Sequence, residues 1–179
     1  MRRLAPFALV ALALALPAGA LAVADAPGDG TLVVQNGSAP SHVAVVTLVI
    51  QGTAIGHVST GSPDQDDTVV ILDPNNANQI DASGANGAAL YKTSNPAAQK
   101  TKLVGSDFRF RVTGGLYKIW IYGSGVNVFT VGVGKVTLQG MPSSATGDGR
   151  FSRNAGDWHS LPAVPTDWLT IGSPAGSNG

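Results

Sequence analysis

The chain has 179 residues, 23 of them glycine and none cysteine, with 11 basic residues against 11 acidic ones. A balanced charge argues against general electrostatic binding to nucleic acid or anionic lipid, so no nucleic-acid partner is expected. Without cysteine there is no disulfide framework, and stability must come from the core, an oligomer of undetermined size or a bound ion.

Met1-Arg2-Arg3, an apolar run over 4–16, Pro17 and the small residues ending in Ala20-Leu21-Ala22 follow the order of a secretory signal peptide. The apolar run is shorter than the roughly 20 residues that span a bilayer, so no transmembrane segment is expected after cleavage. Cleavage after Ala22, Ala24 or Ala26 would each complete a small-x-small triplet. The expected organisation is a signal peptide over 1–24, a single all-β domain over 25–172 and a flexible tail over 173–179. The expected location is exported, either secreted or associated with the cell envelope. Losing Arg2 and Arg3 leaves nine basic against eleven acidic residues, a formal charge of −2.

Beyond the leader, glycines fall between short runs of Val, Ile, Thr and aromatic residues, the spacing of strands and tight turns. Strands are expected over 31–35, 43–51, 55–59, 68–72, 88–91, 108–113, 116–122, 126–131, 135–139 and 168–171. The fold class is therefore all-β, either a β-sandwich or a closed β-barrel. Apolar positions change phase between Val45 and Val46 and between Val128 and Phe129, marking a β-bulge or a segment buried on both faces. The apolar run over 43–50 would pair readily at an open edge, which motivates self-association as a third role. Ile50-x-Gly52-x-x-Ile55-x-x-Val58-x-x-Gly61 is echoed 71 residues later by Ile121-x-Gly123-x-x-Val126-x-x-Phe129-x-x-Gly132, suggesting two similar β units near 31–72 and 108–140. Residues 73–107, rich in Asn, Ala, Gly and Lys, read as a long connection, and 141–149 as a loop.

The most informative stretch is 108–122, where two alternating runs flank Gly114-Gly115 and read as a β-hairpin. Phe108, Phe110, Val112, Tyr117, Ile119 and Ile121 then form its core face. Arg109, Arg111, Lys118, Trp120 and Tyr122 form the other face and are the candidate binding residues. In that register Arg109 lies over Trp120 as a cation–π pair, and Arg111 opposes Lys118, a like-charge contact that calls for an acidic side chain from elsewhere or an anionic ligand.

Catalytic signatures are missing. Asp64, Asp66, Asp67 and Asp73 lack EF-hand spacing, and His42, His57 and His159 are isolated in sequence. There is neither a Gly-x-Ser-x-Gly elbow nor His-Glu-x-x-His, and Val136 after Lys135 breaks a phosphate-loop pattern. No metal, cofactor or catalytic residue is assigned, and whether the chain is an enzyme stays open, with the balance against it. Trp158 and Trp168 are placed as caps on the core, with a sugar-binding groove as the alternative.

Arg109-Phe110-Arg111-x-x-Gly114-Gly115, Gly123-Ser124-Gly125-Val126 and Gly134-x-Val136-x-Leu138 together resemble a group of small exported bacterial all-β proteins of unknown function. The resemblance covers about 31–161, is sharpest over 108–140 and departs in the Asn-rich middle segment. It implies export and one β domain, and no activity. The expected function is a non-catalytic β module that binds an anionic envelope polysaccharide or an envelope protein. The alternative is a β-sandwich hydrolase acting on envelope glycans or esters.

Overall fold

A computed structural model describes residues 29–39, 41–62, 64–140 and 149–173. The expected leader and most of the 141–149 loop lie outside the described residues. Of the expected tail only Ser173 is described, and its N–H donates to Asp29 Oδ2 at 3.1 Å.

Alternating apolar and polar residues form antiparallel strands β1 (Thr31–Gln35), β2 (Ala44–Ser59), β3 (Asp67–Leu72), β4 (Gln79–Gly84), β5 (Tyr91–Asn95) and β6 (Lys100–Gly105). They continue as β7 (Asp107–Gly123), β8 (Asn127–Gly140), β9 (Arg150–Arg153), β10 (His159–Ser160) and β11 (Leu169–Ile171). One sheet runs in the order β10-β9-β1-β8-β2-β7-β3-β6-β5, with β4 also on β7 and β11 also on β8. The fold is all-β, and because the sheet is not closed it is consistent with a β-sandwich and not with a barrel.

Three long strands organise it. β2, β7 and β8 have 16, 17 and 14 residues, against a usual five or six or so; β2 keeps β7 on one side and β8 on the other along its length, while β7 and β8 each change their outer neighbour near the middle. Residues 108–113 of β7 pair with β4 while 118–122 pair with β3, and β8 likewise passes from β1 to β11. This divides the sheet into a first layer (β10, β9, β1, the N-terminal part of β8, the C-terminal part of β2, the N-terminal part of β7, and β4) and a second (β5, β6, β3, with the other parts of β7, β2 and β8, and β11). Inward residues of both layers, from Leu32 and Phe108 to Ile71 and Leu138, join one buried cluster.

The crossover lies on a row of glycines. Gly52 of β2 is in register with Gly114 of β7 and Gly132 of β8, and all three have φ between 146° and 157°. Backbones approach closely there: a Cβ on Gly52 would stand 2.2 Å from the Val131 carbonyl oxygen, and one on Gly132 2.2 Å from that of Gln51. Only glycine satisfies both the dihedral and the contact. The buried Tyr117 hydroxyl lies 3.1 Å from the Gly52 carbonyl and 3.2 Å from that of Val112, donating across the same bend. Burial raises its pKa well above the ordinary phenol value, so it stays a neutral donor.

Several expectations change. Gly114-Gly115 is not a hairpin turn, because β7 runs straight through it: Leu116 pairs with Gln51 and Gly114 with Gly52, leaving Gly115 as the extra residue of a bulge. A bulge and a two-residue turn both place Val112 and Tyr117 inward, so the apolar pattern alone does not separate them. No register shift occurs at Val45/Val46 or Val128/Phe129; Val45 is half-buried on the outer face of β2, and Phe129 is exposed. All of the run over 43–50 except Val43 lies within the central β2, between β7 and β8, so it offers no open edge. The echoed glycines occupy unlike places, Gly52 in the middle of β2 and Gly123 at the end of β7 beside Asp67. The connection over 73–107 holds β4, β5 and β6, and the strand expected at 88–91 begins instead at Tyr91.

Candidate functional site

All nine described lysines and arginines sit in strands. Among the described residues none of them lies within ion-pair distance of a carboxylate; the close pair present is His57–Asp107. A cation with no local partner retains its field for a ligand, so the position of these groups decides where an anion would bind.

The second layer carries the strongest arrangement. Strand alternation turns Lys118, Trp120 and Tyr122 of β7 outward, while Tyr117, Ile119 and Ile121 are buried. Pairing then sets Trp120 between Val70 of β3 and Thr47 of β2, and Tyr122 between Thr68 and Val45. The two rings stack with centroids 5.9 Å apart and planes 11° from parallel, and Tyr122 is 40% exposed. The stacked pair is flanked on both sides by the β-branched residues Val70, Thr47, Thr68 and Val45.

Beside it a transverse row reads Lys100, Leu72, Lys118, Val49, Lys135, Thr170 across β6, β3, β7, β2, β8 and β11. Lys102 lies one row over, in line with Val70 and Trp120. A groove of about 340 Å³ opens at the middle of this row, with Val49, Leu72 and Lys118 joined by Leu116, Pro74, Ala98 and Gln99. Lys135 Nζ stands 4.7 Å from the Trp168 ring centre. None of the outward positions in these strand segments carries a carboxylate.

The five residues expected to form one site are therefore split. Lys118, Trp120 and Tyr122 share the second layer, whereas Arg109 and Arg111 project from the first, on the other side of the Gly115 bulge. Arg109 and Trp120 lie 11 residues apart on a single strand, roughly 36 Å of extended chain at about 3.3 Å per residue, so they make no cross-strand pair. Arg111 faces Ile55 and Asp81, and Lys118 faces Val49 and Leu72, which removes the like-charge opposition. Cation–π contacts occur instead at Lys135–Trp168 and Arg150–Trp158. Trp158 and Trp168 are each 47% exposed and do not cap the core. Lys100, Lys102 and Lys135 were not singled out from sequence. Alternation of Lys100 and Lys102 with the buried Thr101 and Leu103 is the signal that finds the first two.

On the first layer, pairing of β2 with β7 and the turn after β4 bring distant residues together as a hydrogen-bonded set. His57 Nε2 lies 2.6 Å from Asp107 Oδ1, and Asn86 Nδ2 donates to Asp107 Oδ2 at 2.8 Å. Burial would raise the Asp107 pKa, but His57, Asn86 and the Arg109 charge outweigh it and hold the carboxyl below its ordinary value. His57 and Arg109 also line a shallow groove of about 350 Å³ with Val33, Ile55 and Phe129.

Two other aspartates serve the fold. Asp73 accepts from the Asn75 and Asn78 N–H groups and from Asn78 Nδ2, which overcome burial and lower its pKa while tying down the turn after β3. Asp67 is fully buried, with Oδ1 accepting from Ser124 N–H at 3.1 Å and Oδ2 without a partner. Burial pushes its pKa up to about 7 against the lowering effect of the Ser124 hydrogen bond, and Asp66 adds to the rise.

Comparison with known protein families, with curated proteins and with solved structures gives no match. The functional reading rests on this geometry.

Proposed function

We propose that the protein is an exported, non-catalytic β module that binds an anionic polysaccharide of the cell envelope through the outer face of its second layer. The observation that carries the reading is the stacked Trp120–Tyr122 pair beside Lys118 and its lysine row, on strand segments whose outward positions carry no carboxylate. Stacked aromatic rings match the apolar faces of sugar rings, and unpaired ammonium groups match carboxylates or phosphates. The apolar strip beside the cations also favours a chain-like ligand over a free ion. Export is supported by the order of residues at the N-terminus.

Retention on immobilised acidic polysaccharides tests the reading. Wild-type protein is expected to bind and to elute with salt as the Debye length falls from about 10 Å at 0.1 M to about 3 Å at 1 M. Trp120→Ala should lower affinity about tenfold, equivalent to about 1.4 kcal/mol, with an unchanged unfolding curve. A wild-type protein that passes every such column, or a Trp120→Ala variant that binds equally well, would overturn it.

The hydrolase alternative draws on one specific observation, the His57–Asp107 pair at the mouth of a groove. Among the described residues no hydroxyl is hydrogen-bonded to either side chain, and binding is the better supported function.

A further inference from the structure

The lysine row specifies more than a sign of charge. Lys100, Lys118 and Lys135 occupy alternate strands of a single transverse row, with Leu72 and Val49 between them. Neighbouring strands are about 4.8 Å apart, so the three strand positions recur about every 10 Å over a span of about 19 Å. The middle lysine stands in the groove, and Leu72 and Val49 form apolar steps on either side of it. Lys135 is held at one end by its contact with the Trp168 ring.

We infer that this row binds a linear acidic polysaccharide lying across the strands, in which one carboxylate recurs every second sugar, so that successive carboxylates meet Lys100, Lys118 and Lys135. The intervening neutral sugar of each repeat then rests on Leu72 or Val49. A ligand charged on every sugar would bring half of its carboxylates onto these apolar residues, where they lose water without gaining a partner. The inference rests on the polysaccharide-binding reading and adds to it the charge period, the direction of the chain and two end residues.

Titration of the full protein with hyaluronan oligosaccharides, which carry one carboxylate per disaccharide, tests it. Affinity should rise with length until three carboxylates are present and then level off. Lys100→Gln and Lys135→Gln should each weaken binding of the three-carboxylate oligosaccharide about two- to fivefold, as expected for partly exposed charge pairs, and abolish the gain over the two-carboxylate form. Lys102→Gln, on the same strand as Lys100 but outside the row, should leave affinity unchanged. Unfolding curves check that each variant is folded.

Equal losses from Lys102→Gln and Lys100→Gln would show a response to overall charge and overturn the row while leaving polysaccharide binding intact. Tighter binding of polygalacturonate, charged on every sugar, would do the same, whereas Trp120-dependent binding of neutral dextran equal to that of hyaluronan would overturn the anionic reading together with the row. Failure to bind hyaluronan, polygalacturonate and dextran alike would overturn both the inference and the reading beneath it.

Discussion

The outer faces of the two layers are built by the same three long strands and both carry cations beside apolar side chains, yet their chemistry differs. On the first layer, Arg109 and Arg111 share their face with Asp81 and Asp107, and the apolar strip of Ile55, Phe129 and Val131 is about 45% exposed. On the second, lysines face outward without carboxylates, and the large aromatic residues are stacked. Both faces expose apolar surface and positive charge, so neither property alone marks a ligand site. Regular spacing of cations away from carboxylates, beside a stacked aromatic pair, distinguishes the second face.

The most severe way to break the comparison is to destroy both faces at their shared bend. Gly52→Val would force a β-branched residue to φ 146° with its Cβ 2.2 Å from a backbone oxygen. Loss of more than about 4 kcal/mol is expected, seen as failure to fold or a collapse of the thermal transition. A stable variant would show that the glycine row does not set the crossover.

Acid–base titration separates the layers next, because Asp67 and Asp107 respond in opposite directions. The raised pKa of Asp67 means that its favourable contribution is complete below the unfolded value of 3.8 and is lost as pH rises to about 7. Its loss should approach about 1.4 kcal/mol per pH unit inside that window. Asp107, held below its ordinary value, contributes above 3.8 and loses that contribution as pH falls through its lower folded pKa. Denaturant unfolding from pH 4 to 8 should therefore show a decline that Asp67→Asn flattens; an unchanged slope in that variant would place the effect elsewhere.

A smaller loss is expected at the bend itself. Tyr117→Phe removes the hydroxyl shared by the Gly52 and Val112 carbonyls and should cost about 1–2 kcal/mol in denaturant unfolding. The sharpest comparison has the smallest structural effect: Arg111→Ala, on the first face, should leave polysaccharide retention unchanged where Trp120→Ala weakens it. Loss of retention in Arg111→Ala would move the site to the first layer.

Much of the fold was legible because alternation survives in the sequence. The inward set Phe108, Phe110, Val112, Tyr117, Ile119 and Ile121 is buried as expected, and β1 has the expected bounds. β4 and β5 were missed because they are narrow edge strands with little apolar signal; every residue of β5 is exposed. For the candidate site, the outward direction of Lys118, Trp120 and Tyr122 could be read from period two, but their companions could not. Those companions depend on which strand lies alongside, and Lys100, Lys118 and Lys135 come from three separate strands.

The sequence by itself determined an all-β chain, the inward face of each half of β7 and the importance of the glycines, because these follow from local periodicity and backbone sterics. Only the tertiary structure decided that Gly114-Gly115 is a bulge within a continuous strand, that Arg109 and Trp120 belong to different layers, and that three lysines fall in one row. The apolar phase shift of a bulge is the same as that of a two-residue turn, and only the continuous pairing of β7 with β2 through that point selects between them.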